Sequence, residues 1–512
     1  MMKKRFVMKE GLSFLLVMWV VLGLALFTAQ AKDAKPKETK SKDAKYIILV
    51  IGDGMNIEHE IAASRYLYGG DFELSFHKLP YQANVATWDV TTYNYWCPRT
   101  PYNPNVINPK CGYDPAIGGK EPYPLGPELP DAKAYHIVKA TDSASAATAW
   151  ATGYKTDDGN IAWLPGDPDS GGNRNNDGTL KTIAEWLREL KGYAIGVVST
   201  VPFSHATPAA HVSHNKSRNN YHAISEEILK GVKPEVVIGA GYPAGSSCSN
   251  TKSSTYISND AYDAVCADNS YLVVTRAINV DGGIAILQAA QEAVARGKKL
   301  FGLFGGDGGH FESLTPQDLP QTPLVTQATR ENPTFAEATL AALKVLSQDP
   351  DGFFLIAEQG DIDWANHAND FRRMVGTMKD LHDGVQAVID FVNQPDDDID
   401  WSNTLLIVHS DHSNSYMRNQ VKLGAGDLPI QNGPPYTYPG GEVTYGSTNH
   451  TNELTRLYAT GANINKFKKY EGKWYPGTRI LDNTQLFHMM MEAAGIPMGS
   501  SLRLEPGSKG KD

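Results

Sequence analysis

Six continuous apolar runs recur along this chain, and they constrain its fold more than any other feature. They are Tyr46–Ile51, Tyr193–Ser199, Glu235–Ile238, Leu300–Phe304, Phe353–Ala357 and Thr404–Val408. A strand with one wet face alternates apolar and polar residues. An uninterrupted run needs apolar surroundings on both faces, as in a parallel sheet. Between the runs lie segments of helical pattern: Thr182–Leu190, Ala223–Lys230, Gly283–Arg296, Thr334–Ser347 and Asp370–Asn393. Alternation on this scale predicts an α/β fold, a three-layer sandwich with a mainly parallel central sheet flanked by helices. Two stretches break the pattern, about 93–130 and 422–444. Both are rich in Gly, Pro and Tyr and read as long surface insertions. At 512 residues the chain can hold one such domain with insertions, or two domains.

The ends read differently. Lys3, Lys4, Arg5 and Lys9 precede an apolar run from Leu12 to Phe27, and Ala29-Gln30-Ala31 offers a small-x-small cleavage site. Residues 1–31 therefore read as a signal peptide cleaved near Ala31, giving an exported protein, periplasmic or extracellular. The run is short for a membrane span, so no stable membrane insertion is expected. Residues 32–45 are charged and read as a disordered lead-in, 46–498 as the folded domain, and 499–512 as a flexible tail. Removing residues 1–31 takes away four basic residues and one acidic one, so the net charge of −10 becomes −13. Such a chain is no general nucleic-acid binder, and an anionic substrate would need local cations. The four cysteines suggest local disulfides Cys97–Cys111 and Cys248–Cys266, with the other pairings open.

Residues suited to chemistry fall just past the predicted strands. Asp53 follows the first. His205 and Thr207 follow the second. Glu358 closes the Phe353–Ala357 strand, with Asp363 and His367 directly after it, and Asp411-His412 follow the last. In an open parallel sheet the crevice lies at the carboxyl ends of strands, so these residues should converge. Asp363 and His367 are four apart, which on a helical turn suits zinc capture. His450 can add another imidazole. Imidazole with carboxylate favours zinc, whereas Asp53, Thr207 and Glu358 form an all-oxygen set suited to magnesium. Ser143, in Thr141–Thr148, stands at a helix start among small residues, where N–H groups and partial positive charge suit a phosphate.

Each piece has a plainer alternative. The serine segment also fits a capped, alanine-rich packing helix. Asp363–His367 fits a helix-surface pair, and Asp53-Gly54 a strand-ending turn. The oxygen-rich Asp167–Asp177 segment lacks calcium-loop spacing and reads as loop. Gly305–His310 is only superficially a phosphate loop and reads as the rim of the cleft.

Taken together, several segments resemble the bacterial alkaline phosphatases, from about Tyr46 to Gly495. They are Ile51-Gly52-Asp53-Gly54-Met55, Asp142–Thr148, Thr152–Thr156, His205–Pro208, Glu358–Asp363, His367-Ala368-Asn369, Asp411-His412 and His450-Thr451. The resemblance implies Ser143 as a nucleophile that becomes phosphoserine. It implies one zinc on Asp363, His367 and His450, and a second on Asp53, Asp411 and His412. Asp53 would also reach a third site with Thr207 and Glu358, usually magnesium, and Arg218 would clamp phosphate. His205 and Trp364 stand where some members carry aspartate and lysine, so they are further candidates for the third site and its surroundings. The implied activity is hydrolysis of phosphate monoesters to alcohol and inorganic phosphate, by a homodimer. Rival readings are a related metallohydrolase of phosphodiesters, sulfate esters or phosphonates, and a non-catalytic binding protein. The second would require loss of the nucleophile or the ligands, and none is missing.

Overall fold

The apolar runs become strands covered on both faces. Strand β1 (Tyr46–Gly52) is buried at all seven positions. Ile47, Leu49 and Ile51 join one core cluster, with Ala144, Ala147 and Trp150 of the Ser143–Thr152 helix and Ala206 and Ala209 of the Ala206–Val212 helix. Tyr46, Ile48 and Val50 join the other, with Met374, Met378 and Leu381 of the Phe371–Val392 helix and Phe335 and Leu343 of the Phe335–Leu346 helix. Period-2 side chains thus bury both faces of one strand, which gives the expected three layers. The computed structural model describes residues 42–96, 139–165, 178–242, 248, 254–306, 309–311, 330–395 and 397–497. They all belong to one compact unit, Ser41–Asp512.

Along the chain β2 (Tyr81–Ala86), β3 (Ala194–Pro202), β4 (Val236–Ala240), β5 (Tyr271–Thr275) and β6 (Lys299–Leu303) follow β1. Then come β7 (Phe353–Gln359), β8 (Thr404–His409) and four two-residue strands: β9 (Ser413–Asn414), β10 (Arg418–Asn419), β11 (Val443–Thr444) and β12 (His450–Thr451). The last are β13 (Thr455–Gly461) and β14 (Leu481–Asp482). The ten-stranded sheet has the order β14-β2-β13-β8-β1-β7-β3-β4-β6-β5. From β8 to β5 every neighbouring pair is parallel, whereas β13 runs antiparallel to β8 and β2.

All six predicted strands form, with ends displaced by at most three residues. The predicted Ala223–Lys230 helix is an α-helix at Tyr221–Glu226 that continues as a π-helix, Glu227–Val232. The predicted lead-in ends earlier than residue 45. Lys42 N–H donates to Ser402 O and Ala44 N–H to Ala493 O, and Ala44 is fully buried. Similarly, the stretch expected to be inserted from residue 93 begins inside the Val90–Trp96 helix, with Tyr93 buried. Cys248 and Cys266 form a disulfide, while Cys97, Cys111, the signal segment and the Asp167–Asp177 loop lie outside the described residues. Among the described residues no helix is long and apolar enough to cross a membrane.

Candidate active site

Four neighbouring strands, β8-β1-β7-β3, deliver nearly every predicted ligand at their carboxyl ends. Asp53 lies one residue beyond β1, and Glu358 is the penultimate residue of β7. Asp363 and His367 lie on the Asp361–His367 helix that leaves β7. Asp411 and His412 lie just past β8, and Thr207 lies on the helix that follows β3. Parallel neighbours point these ends the same way, so residues hundreds of positions apart meet.

Two groups result: Asp53, Asp411 and His412, and Asp363, His412 and His450. In the first, His412 Nε2 is 3.0 Å from Asp411 Oδ2 and 3.5 Å from Asp53 Oδ1. The other oxygen of Asp411 accepts from the N–H groups of Gly54 and His412, each at 2.9 Å. In the second, Asp363 Oδ1 is 3.5 Å from His450 Nε2, and Asp363 Oδ2 is 3.1 Å from Nε2 of His367, a predicted ligand that lies beside this group rather than in it. His367 Nδ1 faces Thr448 O at 2.6 Å, and His450 Nδ1 faces Thr141 O at 2.8 Å. A carbonyl can only accept, so both Nδ1 atoms carry a proton and both Nε2 atoms turn inward. The His412 and His450 rings stack at 3.5 Å and link the groups.

The electrostatics call for cations. Asp53, Glu358, Asp363 and Asp411 are all buried. Burial first, and then Asp411, Asp363 and Glu358, hold the Asp53 carboxyl well above its usual range. Burial likewise pushes Glu358 up to about 7, against the hydrogen bond it accepts from Ser199. Asp53 Oδ1 and Thr207 Oγ1 are buried without a hydrogen-bond partner, and Asp411 Oδ2 faces His412 Nε2. Unpaired oxygens among crowded carboxylates are costly in a low-dielectric interior, and divalent cations would relieve both problems. The donor set therefore fits metal ions.

Ser143 is the first residue of its helix and only 3% exposed. Its Oγ lies 3.1 Å from His412 Nε2. Asp142 caps the helix, its Oδ1 accepting from Ser145 N–H at 2.9 Å and from Gly159 N–H at 3.1 Å. Its Oδ2 accepts from Arg218 Nη1 at 2.8 Å. One carboxylate thus fixes both the serine helix and the arginine. Burial works against charge on Asp142, but Arg218 and the Ser145 donors outweigh it and hold this carboxyl below its usual range.

His205 stacks flat on Tyr221, centroids 5.4 Å apart, and meets the Trp364 edge at 5.7 Å. None of the three-ligand groups among the described residues includes it. Trp364 in turn meets His310 at 4.7 Å, which brings His310 to the Trp364 side of the site. Arg373 braces this corner, 3.1 Å from His310 Nδ1 and 3.2 Å from Asp361 Oδ1. The roles of Asp142, Arg373 and Asn414, which donates to Asp363, were not visible in the sequence. Asp142 alone left a signal, as the acidic residue before the serine helix.

The family model for alkaline phosphatase matches residues 127–429, more than half of the chain. The chain belongs to the alkaline phosphatase family. Its relatives include alkaline phosphatase H of Pseudomonas aeruginosa, 27% identical over 499 residues covering 90% of this chain and 88% of that protein. Alkaline phosphatase 3 of Bacillus subtilis is 29% identical over 390 residues, 75% of this chain, and the match spans 64% of that protein's length. Among solved structures, the alkaline phosphatase of Thermus thermophilus matches with a TM-score of 0.58 at 19% identity, covering 96% of each chain. The cold-active alkaline phosphatase from Shewanella sp. gives 0.56 at 20%, covering 88% of this chain and 99% of that one. These two show the alkaline phosphatase fold. The family is one of phosphate monoester hydrolases, and this chain carries metal-capable groups.

Proposed function

We propose that this chain is an exported, zinc-dependent alkaline phosphatase that transfers the phosphoryl group of a monoester to Ser143 and then to water. The observation that carries this reading is the convergence of Ser143 Oγ with His412 Nε2 at 3.1 Å, since His412 belongs to both the Asp53–Asp411 and the Asp363–His450 groups. Asp363, His367 and His450 would hold one zinc, and Asp53, Asp411 and His412 the other. Asp53, Thr207 and Glu358 would form a third, magnesium-type site, with His205 and Trp364 beside it. Bound there, the metals would lower the pKa of the serine hydroxyl and of water, and offset charge on the phosphoryl oxygens.

The rest falls to the chain's own groups. Arg218, held by Asp142, would present its remaining N–H donors to two phosphoryl oxygens. The serine helix would add the partial positive charge of its N-terminus. Ser143 Oγ would attack phosphorus in line with the leaving alcohol, breaking the P–O ester bond, and water would later break the Ser143 O–P bond. A monoester carries more charge than a diester, which is what Arg218 and a third cation are suited to neutralise. A homodimer and cleavage near Ala31 belong to the same reading.

The test compares a chromogenic phosphate monoester, a diester and a sulfate ester across pH, with and without zinc and magnesium. The reading expects zinc-dependent monoesterase activity that rises into alkaline pH and is lost in Ser143→Ala. A metal-loaded protein active only on diesters or sulfate esters would replace it with the rival metallohydrolase.

A further inference from the structure

Strand β9 is only Ser413–Asn414, yet it pairs with β12 so that Asn414 lies opposite His450. The Asn414 side chain is fully buried, and its Nδ2 donates to Asp363 Oδ1 at 2.6 Å. A carboxylate only accepts, so the amide must turn its N–H to Asp363. Asn414 is anchored in its turn. Asn56, three residues past Asp53 and N-cap of the Ile57–Tyr68 helix, donates through Nδ2 to Asn414 O at 3.2 Å and to Ser413 Oγ at 2.9 Å. One neutral residue therefore holds an aspartate by its side-chain amide and a histidine by its backbone, both from the same group of candidate ligands.

We propose that Asn414 is the positioning residue of the Asp363–His367–His450 metal site. By occupying Oδ1, its N–H fixes the rotation of the Asp363 carboxylate and leaves Oδ2 facing His367 Nε2 at 3.1 Å. The amide supplies this hydrogen bond without adding a charge of its own. It touches no reacting atom and acts through Asp363 and His450. The neighbouring group has separate support, because Asp411 Oδ1 accepts from the N–H groups of Gly54 and His412. Loss of the Asn414 amide should therefore weaken one metal site and spare the other. Outer hydrogen-bond partners of metal ligands are worth about 10–100-fold in affinity.

The inference rests on the reading that these residues hold zinc, and its test reads metal rather than turnover. The zinc-loaded full chain is titrated with a chelator, and zinc release is followed for wild type, His367→Ala, Asn414→Ala and Asn414→Leu. His367→Ala identifies the release step that belongs to the Asp363 site. The expected result is that both Asn414 variants shift that step by about 10–100-fold toward lower chelator and leave the other step in place. Leucine keeps the side-chain volume, so agreement between the two variants separates the lost donor from a cavity. No shift, or equal movement of both steps, overturns the proposal. A wild type that binds no zinc overturns it together with the proposed function. A wild type that binds two zincs but turns over no monoester strikes the function alone and leaves the titration to decide this inference.

Discussion

Lys155 offers a sharp test of how the serine helix is anchored. It lies two residues beyond Gly153, the left-handed residue (φ 82°) that ends that helix, and its side chain is fully buried. Its Nζ reaches Trp88 O at 2.6 Å, Asn483 Oδ1 at 2.5 Å and Asp482 at 3.1 Å, and it lies 4.1 Å from the Trp88 ring centroid. Burial pulls the ammonium below its ordinary pKa, against the opposing pull of Asp482. Lys155→Met would leave Asp482 as a buried carboxylate without its counter-ion, and breaking such a pair costs about 3–5 kcal/mol. Unfolding entropy is about 2.1 cal/mol/K per residue, or about 1 kcal/mol/K for a chain this long, so Tm should fall by about 3–5 °C. In Lys155→Met/Asp482→Asn no charge is stranded, and most of the loss should return. Calorimetry of the zinc-loaded proteins at one scan rate reads both. An unchanged Tm in the single variant, or a double variant no better than the single, would refute the argument from an unpaired charge.

Three further predictions concern the site and its surroundings. A Cβ at Gly54 would lie 2.7 Å from Asp363 Oδ1 and 3.0 Å from Asp363 Cα, at φ +67°, so Gly54→Ala should displace Asp363. Metal analysis should find substoichiometric zinc in that variant, and kcat/KM should fall by about tenfold or more. Arg218→Ala should lower kcat/KM by about 10²–10³-fold and weaken inhibition by inorganic phosphate, read as a raised Ki. Finally, His214 lies 2.8 Å from Glu227 and 3.3 Å from Glu185. Burial opposes its charge, but the two carboxylates push its pKa up to about 10. The folded value exceeds the unfolded one of about 6.5, so this contribution is complete below pH 6.5 and is lost as pH rises through 10. His214→Gln should flatten the fall of Tm over that window, and an unaltered slope would contradict the assignment.

The middle of the sheet was readable because strands buried on both faces must be apolar at every position, as in Ile47–Ile51 and Phe353–Ala357. The strands that escaped are of another kind. β2 alternates, with Gln82 and Asn84 less buried than their neighbours, and β13 carries Arg456 and Thr460 on partly exposed positions. β5 is the sheet's edge strand, short and only half-buried beyond Tyr271. The candidate ligands were readable from strand ends. That they meet depends on β8, β1, β7 and β3 being neighbours, an order that no local pattern encodes. The supporting contacts were harder still. Asp142 finds Arg218 76 positions away, and Asn414 finds Asp363 51 positions away. Both bonds exist only once the sheet has set its central strands side by side.

The central claim is that Ser143 itself carries the phosphoryl group. The most direct measurement is acid quench of the zinc-loaded protein during turnover of a monoester, followed by peptide mass spectrometry. The account predicts one added HPO3 unit on the peptide that contains Ser143, and neither adduct nor turnover in Ser143→Ala. An adduct on another residue, or turnover that persists in Ser143→Ala without any adduct, would contradict it.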